Sequence, residues 1–155
     1  ELYIEREIEA ATVQANVVSY SRTFLAGDQE HPVDLIEVAA ASGVVKYERE
    51  SHLAVHPSLG PWVTFTAVIV IDTSPEGWGN QEPPGPSTHY NLVPEAELQE
   101  ARKVYQGVDS WTDSNWKKYL RMMECISLGS QHRFDELQAE FYIRQDPKVV
   151  RKMLK

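Results

Sequence analysis

The segment Lys46-Tyr47-Glu48-Arg49-Glu50-Ser51-His52 concentrates the side chains best suited to binding chemistry. Lys46, Tyr47, Arg49, Ser51 and His52 offer hydrogen-bond donors of several geometries just ahead of the apolar residues Leu53, Ala54 and Val55. Donors at the mouth of a rigid strand suit the polar periphery of a large ligand. The same residues also read as an ordinary solvated connection. His52 and His56 have a spacing that would pair them on a helix. On a strand it sets them about 13 Å apart, at ~3.3 Å per residue, too far to share a metal ion.

Other chemical signatures are weak. Cys125 is the single cysteine and has no histidine near it in sequence, so it reads as a structural helix residue. Asp109, Asp113 and Glu124 read as solvated positions and caps. Glu95, Glu97 and Glu100 fall in and just beyond a first helical turn, where the helix dipole favours negative charge. No glycine-rich phosphate loop, dinucleotide fingerprint or serine nucleophile elbow occurs. The aromatic residues carry two readings. Trp62, Trp78, Trp111, Trp116 and seven tyrosines serve either core packing or the walls of a site for a flat ligand.

The elements that position these residues follow from patterning. At 155 residues the chain is expected to form one domain, with a core large enough to need neither disulfides nor metal staples. A net charge of −8 argues against nucleic-acid backbones and anionic membranes as partners. The longest apolar run, residues 67–71, is too short to span a bilayer. The absence of a leader pattern and of paired cysteines points to the cytoplasm or an organellar matrix. The chain opens on Glu1, so further sequence is expected before it.

Residues 3–26 carry two adjoining apolar stripes at helical spacing and predict one long helix. A second helix is expected from Pro32 to about Ala39, closed by Gly43. A strand is expected from His52 to Val55 and a turn over Pro57-Ser58-Leu59-Gly60-Pro61. Trp62 to Asp72 alternates as a long strand, so His52 to Asp72 reads as a central antiparallel hairpin. Residues 73–93 are rich in proline and glycine and read as an ordered loop over a pocket or a partner chain. Helices are expected over 94–105, 113–128 and 134–143, with a last helical turn from Asp146-Pro147. The class is α+β.

The run Leu53-Ala54-Val55-His56-Pro57, the turn Gly60-Pro61-Trp62 and the strand ending at Asp72 resemble a segment of three families. These are reductive dehalogenases, epoxyqueuosine reductases and the C-type cobalamin-processing proteins of animals. The likeness spans residues 32–73, including the small-residue helix end Val38-Ala39-Ala40-Ala41-Ser42-Gly43. A weaker echo of the cobalamin processors covers Arg133-Phe134-Asp135-Glu136-Leu137-Gln138, Phe141 and residues 149–154. The resemblance implies a nitroreductase-like core with an antiparallel sheet flanked by helices, and cobalamin as cofactor. Arg49 and His52 would touch the corrin rim or tail. Lys46, Ser51, Leu53 and His56 would line the site, and Tyr47 and Trp62 would wall it. Iron–sulfur clusters are not implied, because one cysteine cannot ligate them. Of the glutathione-binding arginines of the cobalamin processors, Arg49 is present, while Ala96 and Ser114 stand at the other two places.

Two functions follow as expectations. One is a corrinoid-binding protein of the cobalamin-processing type, with reductive removal of the upper axial ligand as its reaction. The other is a non-catalytic interaction or assembly subunit on a degenerate reductase-like scaffold, with a protein partner. A flavin-binding nitroreductase relative is a third reading, and it would need a basic phosphate site that the sequence does not display.

Overall fold

The computed structural model describes residues 2–14, 20–25, 30–71, 92–106, 115–144 and 149. It is a mixed helix-and-strand protein with small antiparallel sheets. In chain order the described elements are α1 (Leu2–Gln14), β1 (Tyr20–Leu25), α2 (Leu35–Ala41), β2 (Lys46–Glu48), β3 (Leu53–Val55) and β4 (Ala67–Ile71). Helices α3 (Glu95–Gln106), α4 (Trp116–Glu124) and α5 (Glu136–Arg144) follow, with a 3₁₀ turn at Ser130–His132 between the last two. Among the described residues β1 pairs with β4 and β2 pairs with β3, both antiparallel.

Two expectations about strands are corrected. The long helix over 3–26 stops at Gln14, and Tyr20–Leu25 is a strand. Residues four apart, such as Tyr20 and Phe24, share a face in both a helix and a strand, so their spacing did not discriminate. The partner decides it: β4 offers Val68, Val70 and their neighbours as a ladder. The hairpin over His52–Asp72 is also not formed as expected. The partner of β3 is β2, inside the segment read as a loop, and β4 begins only at Ala67, in the other sheet. Residues 62–66 belong to no strand, although from Val63 to Thr66 their burial alternates as the sequence implied. Val63 and Phe65 are half-buried, while Thr64 and Thr66 are exposed. The loop expected over 73–93 falls outside the described residues except at its end, and the final helical turn at Asp146 falls outside them too.

Local caps set the helix ends, and α2 starts at Leu35, three residues after the expected Pro32. Asp34 caps α2, its Oδ1 accepting from the amides of Ile36 and Glu37 at 3.0 Å each. At the other end Gly43 adopts φ 75°, and the amides of Gly43 and Val44 donate back to the carbonyls of Ala40 and Ala39. Before α5, Asp135 and Gln138 exchange reciprocal bonds of 2.8 and 3.0 Å between backbone amides and side chains.

Strand β3 divides two cores. Alternate residues of a strand face opposite sides, and all three residues of β3 are buried. Leu53 and Val55 join Trp62, Leu98, Ala101, Met122, Met123 and Ile126 in the larger core against α3 and α4. Ala54 faces the other way, onto Ala39 and Val45, with Val63 and Phe65 closing that smaller cluster. A short strand covered on both sides must be apolar throughout, as this one is.

The turn after β3 is pressed against the turn after α4. His56 and Gly60 exchange backbone bonds of 2.8 and 2.9 Å. Gly60 and Gly129 both have positive φ, at 63° and 74°. A Cβ on Gly60 would lie 1.8 Å from the Leu128 carbonyl oxygen, and one on Gly129 would lie 2.1 Å from that of Leu59. Replacing either glycine by alanine is expected to cost at least roughly 1–3 kcal/mol from the left-handed backbone alone, before any overlap. Urea denaturation midpoints of Gly60→Ala and Gly129→Ala test this, and an unchanged midpoint would show that the two turns do not meet.

Candidate functional site

The β2–β3 connection is a four-residue loop, Arg49 to His52, built around a buried carboxylate. Glu48 ends β2 with its side chain 8% exposed. Its Oε2 accepts from the Ser51 amide at 2.8 Å and from the Ser51 hydroxyl at 2.5 Å. Its Oε1 accepts from Arg102 on α3, from Nε at 3.3 Å and from a terminal nitrogen at 3.0 Å. Ser51 itself is fully buried. Arg102 also pairs with Glu50 at 3.1 Å and Glu95 at 2.6 Å; the bond to Glu48 first, then those to Glu95 and Glu50, raise its pKa above the usual range for arginine. Burial alone would push the Glu48 carboxyl up. The bonds from Ser51 and Arg102 outweigh that and hold it below the ordinary carboxylate value.

This network fixes the loop and turns His52 outward. His52 has φ 54°, the sole positive φ of a non-glycine residue among the described residues. Its Nδ1 shares a 2.8 Å hydrogen bond with the Tyr47 hydroxyl, one residue short of the end of β2. Its ring stacks on Tyr105 of α3, with centroids 5.0 Å apart and planes 29° from parallel. Arg49 lies 5.6 Å from the centre of the Tyr47 ring and pairs with Glu37 of α2 at 2.9 Å. Burial pushes the Tyr47 hydroxyl up, helped by the charges of Asp34 and Glu37 and opposed by Arg49. Tyr119 is pushed up to about 12, by burial first and by Tyr47 second. Both phenols therefore stay protonated at neutral pH.

The expected site residues divide into two groups. Tyr47, Arg49 and His52 come together on the accessible edge of the hairpin, whereas Lys46, the strand residue before Tyr47, points to the opposite face. The other four serve the fold. Ser51 is consumed by Glu48. Leu53 is core. His56 uses Nδ1 to accept the amides of Ser58 and Leu59, both at 3.1 Å, and so shapes the turn. Trp62 is 4% exposed, meets the edge of Phe134 at 5.7 Å and lies beneath the Arg133 guanidinium at 5.8 Å. Its Nε1 has no hydrogen-bond partner among the described residues.

Sequence reading missed Glu48, Arg102 and Tyr105. The Glu48-x-x-Ser51 spacing was the one local hint, because a carboxylate can accept from the amide and hydroxyl three residues on. Nothing local ties that loop to α3. The acidic residues of α3 also do more than face the dipole: Glu97 accepts from the amide and hydroxyl of Ser127, at 2.8 and 2.7 Å, and so fastens α3 to the end of α4. Cys125 donates to the Arg121 carbonyl at 3.3 Å, and burial raises its thiol pKa, consistent with a structural role. Among the described residues no cluster of three or more His, Cys, Asp or Glu is placed to hold a metal ion, and no helix is long and apolar enough to cross a membrane. Comparison with protein-family models, curated proteins and solved structures gave no match to this chain.

Because Glu48 is held ionised by the fold, its contribution is complete above the ordinary value of 4.5 and is lost as pH falls through its depressed folded value. Glu48→Gln is expected to lower stability at pH 7 by about 1–3 kcal/mol. Thermal melts from pH 7 to 3 should show the gap between wild type and variant closing at the acid end. A constant gap would mean that the carboxylate charge is not what the loop depends on. Arg102→Ala, which strands Glu48, is expected to destabilise more than Glu50→Ala, which removes only an exposed partner.

Proposed function

We propose that this protein binds a corrinoid on a nitroreductase-like scaffold of the cobalamin-processing type, at the edge formed by Tyr47, Arg49 and His52. The observation that carries this reading is the convergence of a guanidinium, an imidazole and two phenol rings on one accessible edge, ahead of the Leu53–Trp62 run that resembles the cobalamin processors. The donor set fits the group. A corrinoid presents amide side chains around its rim and a phosphate in its nucleotide tail, and Arg49 can give planar, paired bonds to either.

Arg49 is 75% exposed and its partner Glu37 41%, so exchanging that ion pair for a ligand costs little. The Tyr47 ring lies against Arg49, and Tyr105 backs the His52 ring. The buried Glu48–Ser51–Arg102 network holds the edge in one geometry before a ligand arrives, which lowers the entropy cost of binding. Cobalamin would be held with its nucleotide base released from cobalt. When bound, the cofactor would supply the reductive chemistry, with electrons from an external flavin or thiol. The protein's own residues bind and orient it.

Titration calorimetry with hydroxocobalamin and methylcobalamin tests the reading. Binding at micromolar affinity or tighter is expected, weakened by roughly 1–3 kcal/mol in Arg49→Ala, the cost of stranding a polar partner. Absence of heat with every cobalamin form would overturn it in favour of an interaction or assembly subunit.

A further inference from the structure

We infer that the His52 imidazole is positioned to give its Nε2 atom to the metal of a bound corrinoid as the lower axial ligand, an inference that rests on the corrinoid reading above. Three observations converge on this ring. Its Nδ1 is engaged by the Tyr47 hydroxyl at 2.8 Å, while Nε2 makes no hydrogen bond among the described residues. One face of the ring is covered by Tyr105, so the ring cannot swing freely. Its backbone is held at φ 54°, where asparagine or glycine would be relaxed and histidine is not.

Coordination chemistry gives these features one purpose. A ligating histidine needs one nitrogen with an open lone pair and the other hydrogen-bonded, so that tautomer and ring direction are fixed. A metal at Nε2 would select the tautomer that carries its proton on Nδ1, for which the Tyr47 oxygen accepts. His56, by contrast, spends its Nδ1 on the turn amides. A corrinoid bound with its own base released leaves its lower axial position open, and imidazole is a good ligand for cobalt.

Cobinamide, a corrinoid with no nucleotide base, tests this directly, because any axial nitrogen must then come from the protein. With the full chain and chemically reduced cob(II)inamide, electron paramagnetic resonance should show cobalt lines split in three by one ¹⁴N nucleus. Protein labelled with ¹⁵N-histidine should split them in two. His52→Asn keeps a residue that accepts the left-handed backbone, and it should lose the splitting and bind cobinamide at least about tenfold more weakly. Tyr47→Phe should keep the splitting and weaken binding on the order of tenfold. If calorimetry shows cobinamide binding to wild type without nitrogen splitting, or if the splitting survives in His52→Asn, the axial assignment falls and the corrinoid reading stands. If cobinamide and the cobalamins all fail to bind, both fall.

Discussion

A carboxylate removed from water must be met by donors, and Glu48 is the point where this fold accepts that obligation. Its two oxygens take a backbone amide, a hydroxyl and a guanidinium. That set closes the β2–β3 loop from within and bolts it to α3 from without. The exposed features of the hairpin edge follow from it. Ser51 is drawn fully inside, so the next residue, His52, must turn outward through a left-handed backbone to let Leu53 return to the core. The stack of His52 on Tyr105 is possible because Arg102, three positions earlier on the same helix, already fixes the distance between loop and helix.

The same interaction explains why a loop rich in polar residues behaves as a rigid platform. Loops generally hold single side chains loosely, and binding then has to order them. Here the ordering is intrinsic, bought by a buried ion pair. The side chains on the rim remain exchangeable. Arg49 and Glu37 form an exposed pair, and the Tyr47–His52 bond is also exposed. A fixed base with replaceable outer contacts is a useful arrangement for gripping a ligand much larger than any one side chain.

Helices were legible where their ends carry local chemistry that reads without a partner: Gly43 and Pro94 were seen as a stop and a start. The caps of Asp34 and Asp135 were not, so α2 begins at Leu35 and not at Pro32, and α4 is shorter than expected, Trp116–Glu124. The strand partners were not legible, since pairing is a property of two distant segments and either face of an alternating run can find a mate. Tyr20–Leu25 shows the failure clearly: its spacing satisfied a helix until β4 supplied a ladder. In the candidate site, the donors Tyr47, Arg49 and His52 were visible as types. The absorption of Ser51 was not, because it depends on Glu48 being inside, and that of His56 was not, because it depends on the amides of its own turn. A charged residue in a Glu-Arg-Glu run reads as solvated by default, and only the guanidinium from α3 reverses that.

The contact between the Gly60 and Gly129 turns has a consequence for the order of events in folding. The β2–β3 hairpin and the α3–α4 pair each close through contacts between near neighbours in the chain and can form early. The two turns meet backbone to backbone, with no side chain between them to deform. Such a surface cannot be approached gradually. Each turn must already hold its left-handed glycine before the other can seat, so the docking of hairpin onto helices belongs to the late, cooperative part of folding. Until that step Leu53, Val55 and Trp62 still face water, and the larger core closes only when the glycines meet.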